Sequence, residues 1–197
     1  MNYELFKAIN QNAGHHPFLD GLMVFFTKES FLIFALLLLA MWFFGKERSK
    51  YTTVYAIITC VAGLMINFVI GYVFYEPRPF VAHKGVHMLI SHAADASFPS
   101  DHATYVFSLA LAVLFRRHNK VGGLMLLIAL VTGISRVYVG HHYPFDVLGS
   151  MVVSIVISSL VYKLNSQLQP IPRTIINIYN QIPLVPKNVQ EENKTNF

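Results

Sequence analysis

The sequence predicts an all-α protein, an integral membrane helical bundle of about five spans plus an N-terminal interfacial helix. Composition is the first ground: 54% of the 197 residues are hydrophobic and 13% are charged, against about 25% charged in a soluble domain. The second is a set of apolar stretches at approximately 30–45, 51–75, 100–115, 121–138 and 146–162. The third is that basic residues gather in alternate connections between those stretches.

Only the stretch 51–75 comfortably exceeds the roughly 20 residues that a span needs. The others reach that length when flanking polar residues snorkel or sit at the interface. The third and fifth are short because Asp101, His102 and Asp146 lie at their starts. A polar site recessed among helix ends at one membrane face follows from that.

The loops decide which face. Lys46, Arg48 and Lys50 precede the second span; Arg116, Arg117 and Lys120 separate the third and fourth; Lys163, Arg173, Lys187 and Lys194 follow the fifth. Alternating spans put all three groups on one side. The other side holds Lys7, Lys28, Arg78, Lys84 and Arg136. The positive-inside rule then puts the C-terminus in the cytoplasm and the recessed polar residues on the extracytoplasmic face. The net charge of +5 therefore reflects topology and calls for no nucleic-acid partner.

The first 29 residues read as interfacial. His16-Pro17 suits a helix start, and Phe18, Leu19, Leu22, Met23, Phe25 and Phe26 give an apolar face too short to span, expected to lie along the surface or pack on the bundle. The start is acidic and polar, without the basic n-region of a cleavable signal peptide. After residue 163, Ile175, Ile178, Tyr179 and Ile182 have helical spacing between prolines, which predicts a short surface helix. The last ten residues are polar and expected to be disordered. The chain thus divides into a membrane-embedded domain over 1–163 and a cytoplasmic tail over 164–197. Cys60, the one cysteine, sits in an apolar run and indicates no redox compartment.

Charged and imidazole side chains at span ends are costly unless used. Ser100, after Pro99, is a good N-cap. A helix N-terminus offers free N–H groups to phosphate, and His102 falls in its first turn. The plain alternative is a capped helix with a surface histidine. In Ser135-Arg136-x5-His142-x3-Asp146, Arg136 can grip phosphate oxygens with a bidentate fork. Asp146, four residues after His142, can accept its Nδ1–H and leave Nε2 free to attack. The alternatives are interfacial anchoring, or His141-His142 as a metal pair, which the scarcity of carboxylates disfavours. Arg78-Pro79 alone reads as a snorkelling arginine.

Together these pieces resemble the three-part signature of the type 2 phosphatidic acid phosphatase superfamily, K-x6-R-P, P-S-G-H and S-R-x5-H-x3-D. The match covers residues 71–146, and the helical frame extends it to about 163. The resemblance implies Arg136 and Arg78 as phosphate ligands, His142 as nucleophile, Asp146 as its orienting carboxylate, His102 as general acid and Ser100 as a phosphate-binding hydroxyl. It departs twice. The first-motif lysine falls on Gly71, with Lys84 the nearest substitute in the loop. The second-motif glycine is Asp101, whose backbone N–H remains available to phosphate while its carboxylate either points away or shapes specificity.

Tyr75-Glu76-Pro77-Arg78-Pro79-Phe80-Val81 and His92-Ala93-Ala94-Asp95-Ala96-Ser97-Phe98 preceding Pro99 narrow the resemblance to the bacitracin-resistance undecaprenyl-diphosphatase branch, which shares the aspartate at position 101. This implies removal of the terminal phosphate of undecaprenyl diphosphate at the outer face through a phosphohistidine. The carrier lipid would be recycled for the cell wall and bacitracin resistance conferred. No metal or other cofactor is required by that scheme. The rivals are the same chemistry on phosphatidic acid or phosphatidylglycerophosphate, and a non-enzymatic lipid-phosphate carrier. Glu76 reads as a rim charge and Asn67 as interhelical glue, with His92 and Asp95 lining the mouth of the site. His15, His16, His83, His87 and His118 read as interfacial.

Overall fold

A computed structural model describes residues 1–182. Among these, the elements are α1 (Asn2–Asn10), α2 (Pro17–Phe44), α3 (Glu47–Val73), α4 (Pro79–Ala82), α5 (Asp101–Phe115), α6 (Asn119–Tyr138), α7 (Pro144–Lys163), α8 (Asn165–Leu168) and α9 (Pro170–Asn180). Helices α2, α3, α6 and α7 are each long and apolar enough to cross a membrane, and α5 is a shorter apolar helix. The protein is an all-α membrane bundle.

Helix α5 sits at the centre. Phe34, Leu38 and Met41 of α2, Ala56 and Cys60 of α3, and Met125 and Ala129 of α6 close around its Ala103, Val106, Phe107, Ala110 and Val113. Its 15 residues reach about 22 Å, short of the roughly 30 Å hydrocarbon core. Neighbouring helices shield it from lipid, so its ends need not reach the interface. That is how the polar start of α5 comes to be recessed.

Lipid tails offer no hydrophobic drive between helices, so small residues and polar contacts join them. Ser108 Oγ donates to Ser154 Oγ at 3.0 Å and Ser154 Oγ to Thr104 O at 3.2 Å, tying α5 to α7. Thr27 Oγ1 donates to Ser135 Oγ at 2.9 Å between α2 and α6. The outward faces stay apolar: Phe31, Leu36, Phe68, Val152 and Val156 are all exposed.

The N-terminal region differs from the expectation. A helix does begin at Pro17, but residues 18–26 run without a break into the first span, giving one 28-residue helix about 42 Å long. Thr27-Lys28-Glu29-Ser30 is polar but no breaker: Lys and Glu are good helix formers, and Thr27 and Ser30 are buried. The separate N-terminal helix is α1 instead. It lies across the ends of α6 and α7, with Phe6 against Val137 and Tyr143. Asn10 Nδ2 donates to Tyr138 O and His87 O, both at 2.8 Å.

At the opposite end, Arg48 Nη2 donates to Arg116 O at 2.7 Å and Arg116 Nη1 to Asn165 Oδ1 at 3.0 Å. These bonds join the start of α3, the end of α5 and the residues after α7, as alternating spans require. Helix α9 docks there with Pro172 and Ile176 buried and Tyr179 edge-on to Trp42. It is the expected tail helix, except that Ile182 falls beyond its end. The expectation of a disordered final ten residues lies outside the described residues.

Candidate active site

The recessed end of the bundle is assembled from the start of α5, the end of α6, the start of α7 and the 74–100 connection. That connection is pinned across its base, where Ser97 N donates to Glu76 O at 2.8 Å. Ser100 is fully buried and caps α5 by accepting from Ala103 N at 3.4 Å. Ser150 Oγ donates to the Ser100 carbonyl at 2.9 Å, holding this cap to α7. The Asp101 carboxylate accepts from Asn67 Nδ2 at 3.0 Å, and Asn67 also donates to Thr104 at 2.9 Å. Asn67 is thus the interhelical link expected of it. Asp101 can meet an anion through its backbone N–H, with its carboxylate engaged by α3.

Arg136 closes α6 with 2% of its surface exposed, and neither Nε nor Nη2 has a partner among the described residues. The chain then reverses at Gly140, whose φ of +90° suits glycine and where a Cβ would stand 2.9 Å from His87 O. His141 N and His142 N donate back to Arg136 O at 3.0 and 3.3 Å, so the turn and the guanidinium form one unit. Pro144 opens α7, and Asp146 Oδ2 accepts from Tyr143 N at 2.8 Å and from Ser97 Oγ.

His142 is 1% exposed and contacted at both ring nitrogens. Arg78 Nη1 lies 2.9 Å from Nε2, and the Ser97 carbonyl lies 2.9 Å from Nδ1. A guanidinium only donates and a carbonyl only accepts. The proton therefore sits on Nδ1, and Nε2 carries its lone pair. Burial, then the charges of Arg136 and Arg78, hold His142 well below the ordinary imidazole range, which favours the neutral ring. Asp146 Oδ2 stands 3.4 Å from Nδ1. Ser97 O is the nearer acceptor, and Asp146 supports the arrangement through its bond from the Ser97 hydroxyl.

Arg78 is almost fully buried and serves three partners. Its Nε donates to Asp95 Oδ1 at 2.6 Å, and its Nη1 donates to His141 O at 3.1 Å as well as meeting His142. Burial raises Asp95, but the bond and charge of Arg78 outweigh it and hold the carboxyl below its usual range. His92 stands edge-on to the His141 ring at 4.6 Å, and its own protonation is pushed down by burial. His102 is half-buried, within electrostatic reach of Arg136, His92 and Arg78. His141 turns its Nε2 to Ile90 O at 2.9 Å, and burial with Arg136 depresses it to about 3.

The structure brings together Arg78, Ser100, Asp101, His102, Arg136, His142 and Asp146. Sequence reasoning missed Ser97, which has no signal of its own because its partners lie 45 and 49 residues away. It also missed that Asp95 pairs with Arg78. At Gly71, a Cβ would meet Ala96 Cβ at 3.4 Å and Phe98 O at 3.6 Å; the loop packs where a longer side chain would start. Lys84 is exposed and stands apart from the buried arginines.

A buried cation without a counter-ion costs several kcal/mol. Arg136 bears that cost beside a second guanidinium and a neutral imidazole, an arrangement suited to an anion with an electrophilic centre, such as a phosphoryl group.

Comparison with known proteins agrees with this chemistry. The PAP2 superfamily profile matches residues 52–170. The chain is 50% identical over 182 residues to the protein named undecaprenyl-diphosphatase BcrC of Bacillus subtilis (strain 168), covering 92% of this chain and 93% of that one. It is 34% identical to the putative undecaprenyl-diphosphatase YbjG of Escherichia coli (strain K12), covering 79% and 78%. Among solved structures, Aquifex aeolicus LpxE superposes with a TM-score of 0.69 at 26% identity, over 82% of this chain and 94% of that one. The chain belongs to the PAP2 superfamily, the family whose three-part signature its sequence resembles.

Proposed function

We propose that this protein hydrolyses undecaprenyl diphosphate to undecaprenyl phosphate and inorganic phosphate, with residues 1–163 as the lipid phosphatase and residues 164–197 as a cytoplasmic tail. The observation that carries the chemistry is the neutral His142, its Nε2 lone pair directed at Arg78, beside Arg136, whose Nε and Nη2 have no partner among the described residues. The substrate is supported by the 50% identical relative of nearly the same length. Among the described residues little lies outside the helical bundle to read a large headgroup, so recognition there falls to the phosphate and the lipid tail. A diphosphate offers two arginines more anionic oxygens than a monoester and leaves as a lipid phosphate instead of an alkoxide.

The terminal phosphate draws Arg78 Nη1 off Nε2 and takes its place. Nε2 then attacks phosphorus in line. The N–P bond forms, the P–O bond to the bridging oxygen breaks, and His102 passes a proton to that oxygen. Arg78, Arg136, Ser100 and the first N–H groups of α5 stabilise the charge on the equatorial oxygens. The phosphate's own negative charge favours the protonated form of His102 needed for this step. The positive charge arising on the attacking ring is relieved through Nδ1–H, Ser97 O and Asp146. Water next attacks phosphorus, His102 takes its proton, and the N–P bond breaks.

The extracytoplasmic orientation is supported by the basic end formed by α3, α5 and α7, opposite the site. In that orientation the reaction would act on the diphosphate at the outer face, where bacitracin would compete for it.

Purified protein should release phosphate from undecaprenyl diphosphate faster than from phosphatidic acid or phosphatidylglycerophosphate, and overexpression should raise tolerance to bacitracin. Equal or higher kcat/KM on the glycerophospholipids, without protection, favours a general lipid phosphatase. No release from any lipid favours a carrier.

His142→Ala should abolish turnover, His102→Ala should lower kcat by roughly 10²–10⁴-fold, and His141→Ala should be much milder. In protein labelled with ¹⁵N in its imidazoles, His142 should remain neutral with its proton on Nδ1 at pH 6. There an ordinary histidine of pKa about 6.5 is mostly charged. Near-normal turnover by folded His142→Ala, or a His142 that titrates normally, would remove it as the nucleophile.

For orientation, Lys84→Cys in a Cys60→Ser background should react with an impermeant thiol reagent in intact cells. Lys46→Cys and Lys120→Cys should react only after permeabilisation. The reverse pattern would put the site in the cytoplasm.

A further inference from the structure

A second cluster of guanidinium groups lies at the far end of α5, about 22 Å from the active-site end at 1.5 Å per residue. Arg48, Arg116 and Arg117, with Tyr51, Thr52 and Tyr162, line a solvent-open cavity of about 220 Å³. Among the described residues no carboxylate lines it, and none of their ion pairs involves these arginines.

Arg116 forms the wall. Its guanidinium stacks over the Tyr55 ring at 3.4 Å, Nη1 is held by Asn165, and Nη2 is buried with no partner among the described residues. Arg48 is oriented by its bond to the Arg116 carbonyl. Arg117 is the one non-glycine residue with positive φ among the described residues, at 61°. It stands just past the end of α5, where Arg117 N donates to Leu114 O at 2.8 Å and His118 N to Val113 O at 3.3 Å. This is the Schellman arrangement, in which glycine is the usual residue. A side chain in that left-handed conformation is disfavoured, and strain of this kind collects where a side chain is needed. Here it puts a third guanidinium on the cavity.

We infer that this cavity is an anion site for the phosphate headgroup of an anionic phospholipid in the leaflet opposite the active site. Three guanidinium groups without a carboxylate select a phosphate-bearing group. Tyr51, Tyr162 and the neighbouring Phe115 place it at interfacial depth, where aromatic rings meet headgroups. The inference is independent of which lipid the active site hydrolyses.

The test is native mass spectrometry of the full-length protein in detergent, titrated with dioleoylphosphatidylglycerol or dioleoylphosphatidylcholine. Arg48→Gln with Arg117→Gln should weaken phosphatidylglycerol binding by roughly tenfold or more. Lys46→Gln with Lys163→Gln removes the same charge from the same end but outside the cavity, and should change it by less than about twofold. Competition by inorganic phosphate, with the same loss in the arginine variant, supports a site that reads phosphate from either source. Absence of competition with that loss supports a site that requires the lipid. Arg117→Gly relieves the left-handed strain, so weakened lipid binding with an unchanged or raised Tm separates loss of a ligand contact from misfolding. Unaltered phosphatidylglycerol binding in the arginine variant, equal weakening in the lysine variant, or equal affinity for phosphatidylcholine would overturn the inference.

Discussion

A guanidinium buried without an ion-pair partner among the described residues is the constraint around which this end of the bundle is organised. Arg136 has two nitrogens with no partner among the described residues, in a region almost closed to water, at a cost of several kcal/mol. The rest of the fold must make that position rigid, because a side chain with an alternative would turn away. The rigidity comes from the backbone: the Arg136 carbonyl receives both His141 N and His142 N, and the following turn is clamped by Asn10 through Tyr138 O and His87 O. Helix α1 therefore contributes to the site without touching it, and the 74–100 connection supplies the second arginine.

The bundle tolerates so polar a centre because of where α5 lies. A helix of 15 residues is too short to bridge a bilayer alone, but at the centre of four longer helices it needs no contact with lipid. Its hydroxyl-lined contacts with α7 bring Ser100 and Asp146 close. Ser150 Oγ reaches the Ser100 carbonyl and also bonds to Asp146 O. One seam of small polar residues thus both packs the helices and sets the register between the Ser100 cap of α5 and Asp146 at the start of α7.

Much of this was legible in the sequence. The apolar stretches mark the helices, and alternation of loop charge brings three distant motifs to one end. The spacing of Arg136, His142 and Asp146 across a glycine turn reads as one local unit. Less legible was anything that depends on the path of the 74–100 connection. Ser97 takes the role of nearest acceptor to His142 because the loop folds back over α7, which no local pattern records. The pairing of Asp95 with Arg78 has the same origin. The first 29 residues do not form a separate interfacial element because the polar Thr27-Lys28-Glu29-Ser30 stretch continues the helix, with Thr27 bonded to Ser135 of α6 and Ser30 buried in the bundle. The left-handed Arg117 was invisible because sequence shows a basic loop and not its dihedral angles.

The claim that most depends on this geometry is that His142 Nε2 becomes covalently phosphorylated. Enzyme mixed with undecaprenyl diphosphate labelled with ³²P in the terminal phosphate, quenched in alkali within milliseconds and digested, should yield one acid-labile labelled peptide containing His142. The label should decay as inorganic phosphate appears and be absent from His142→Ala. A turning-over enzyme that carries no label at early times, or a label that maps to His102 or His141, would contradict the account.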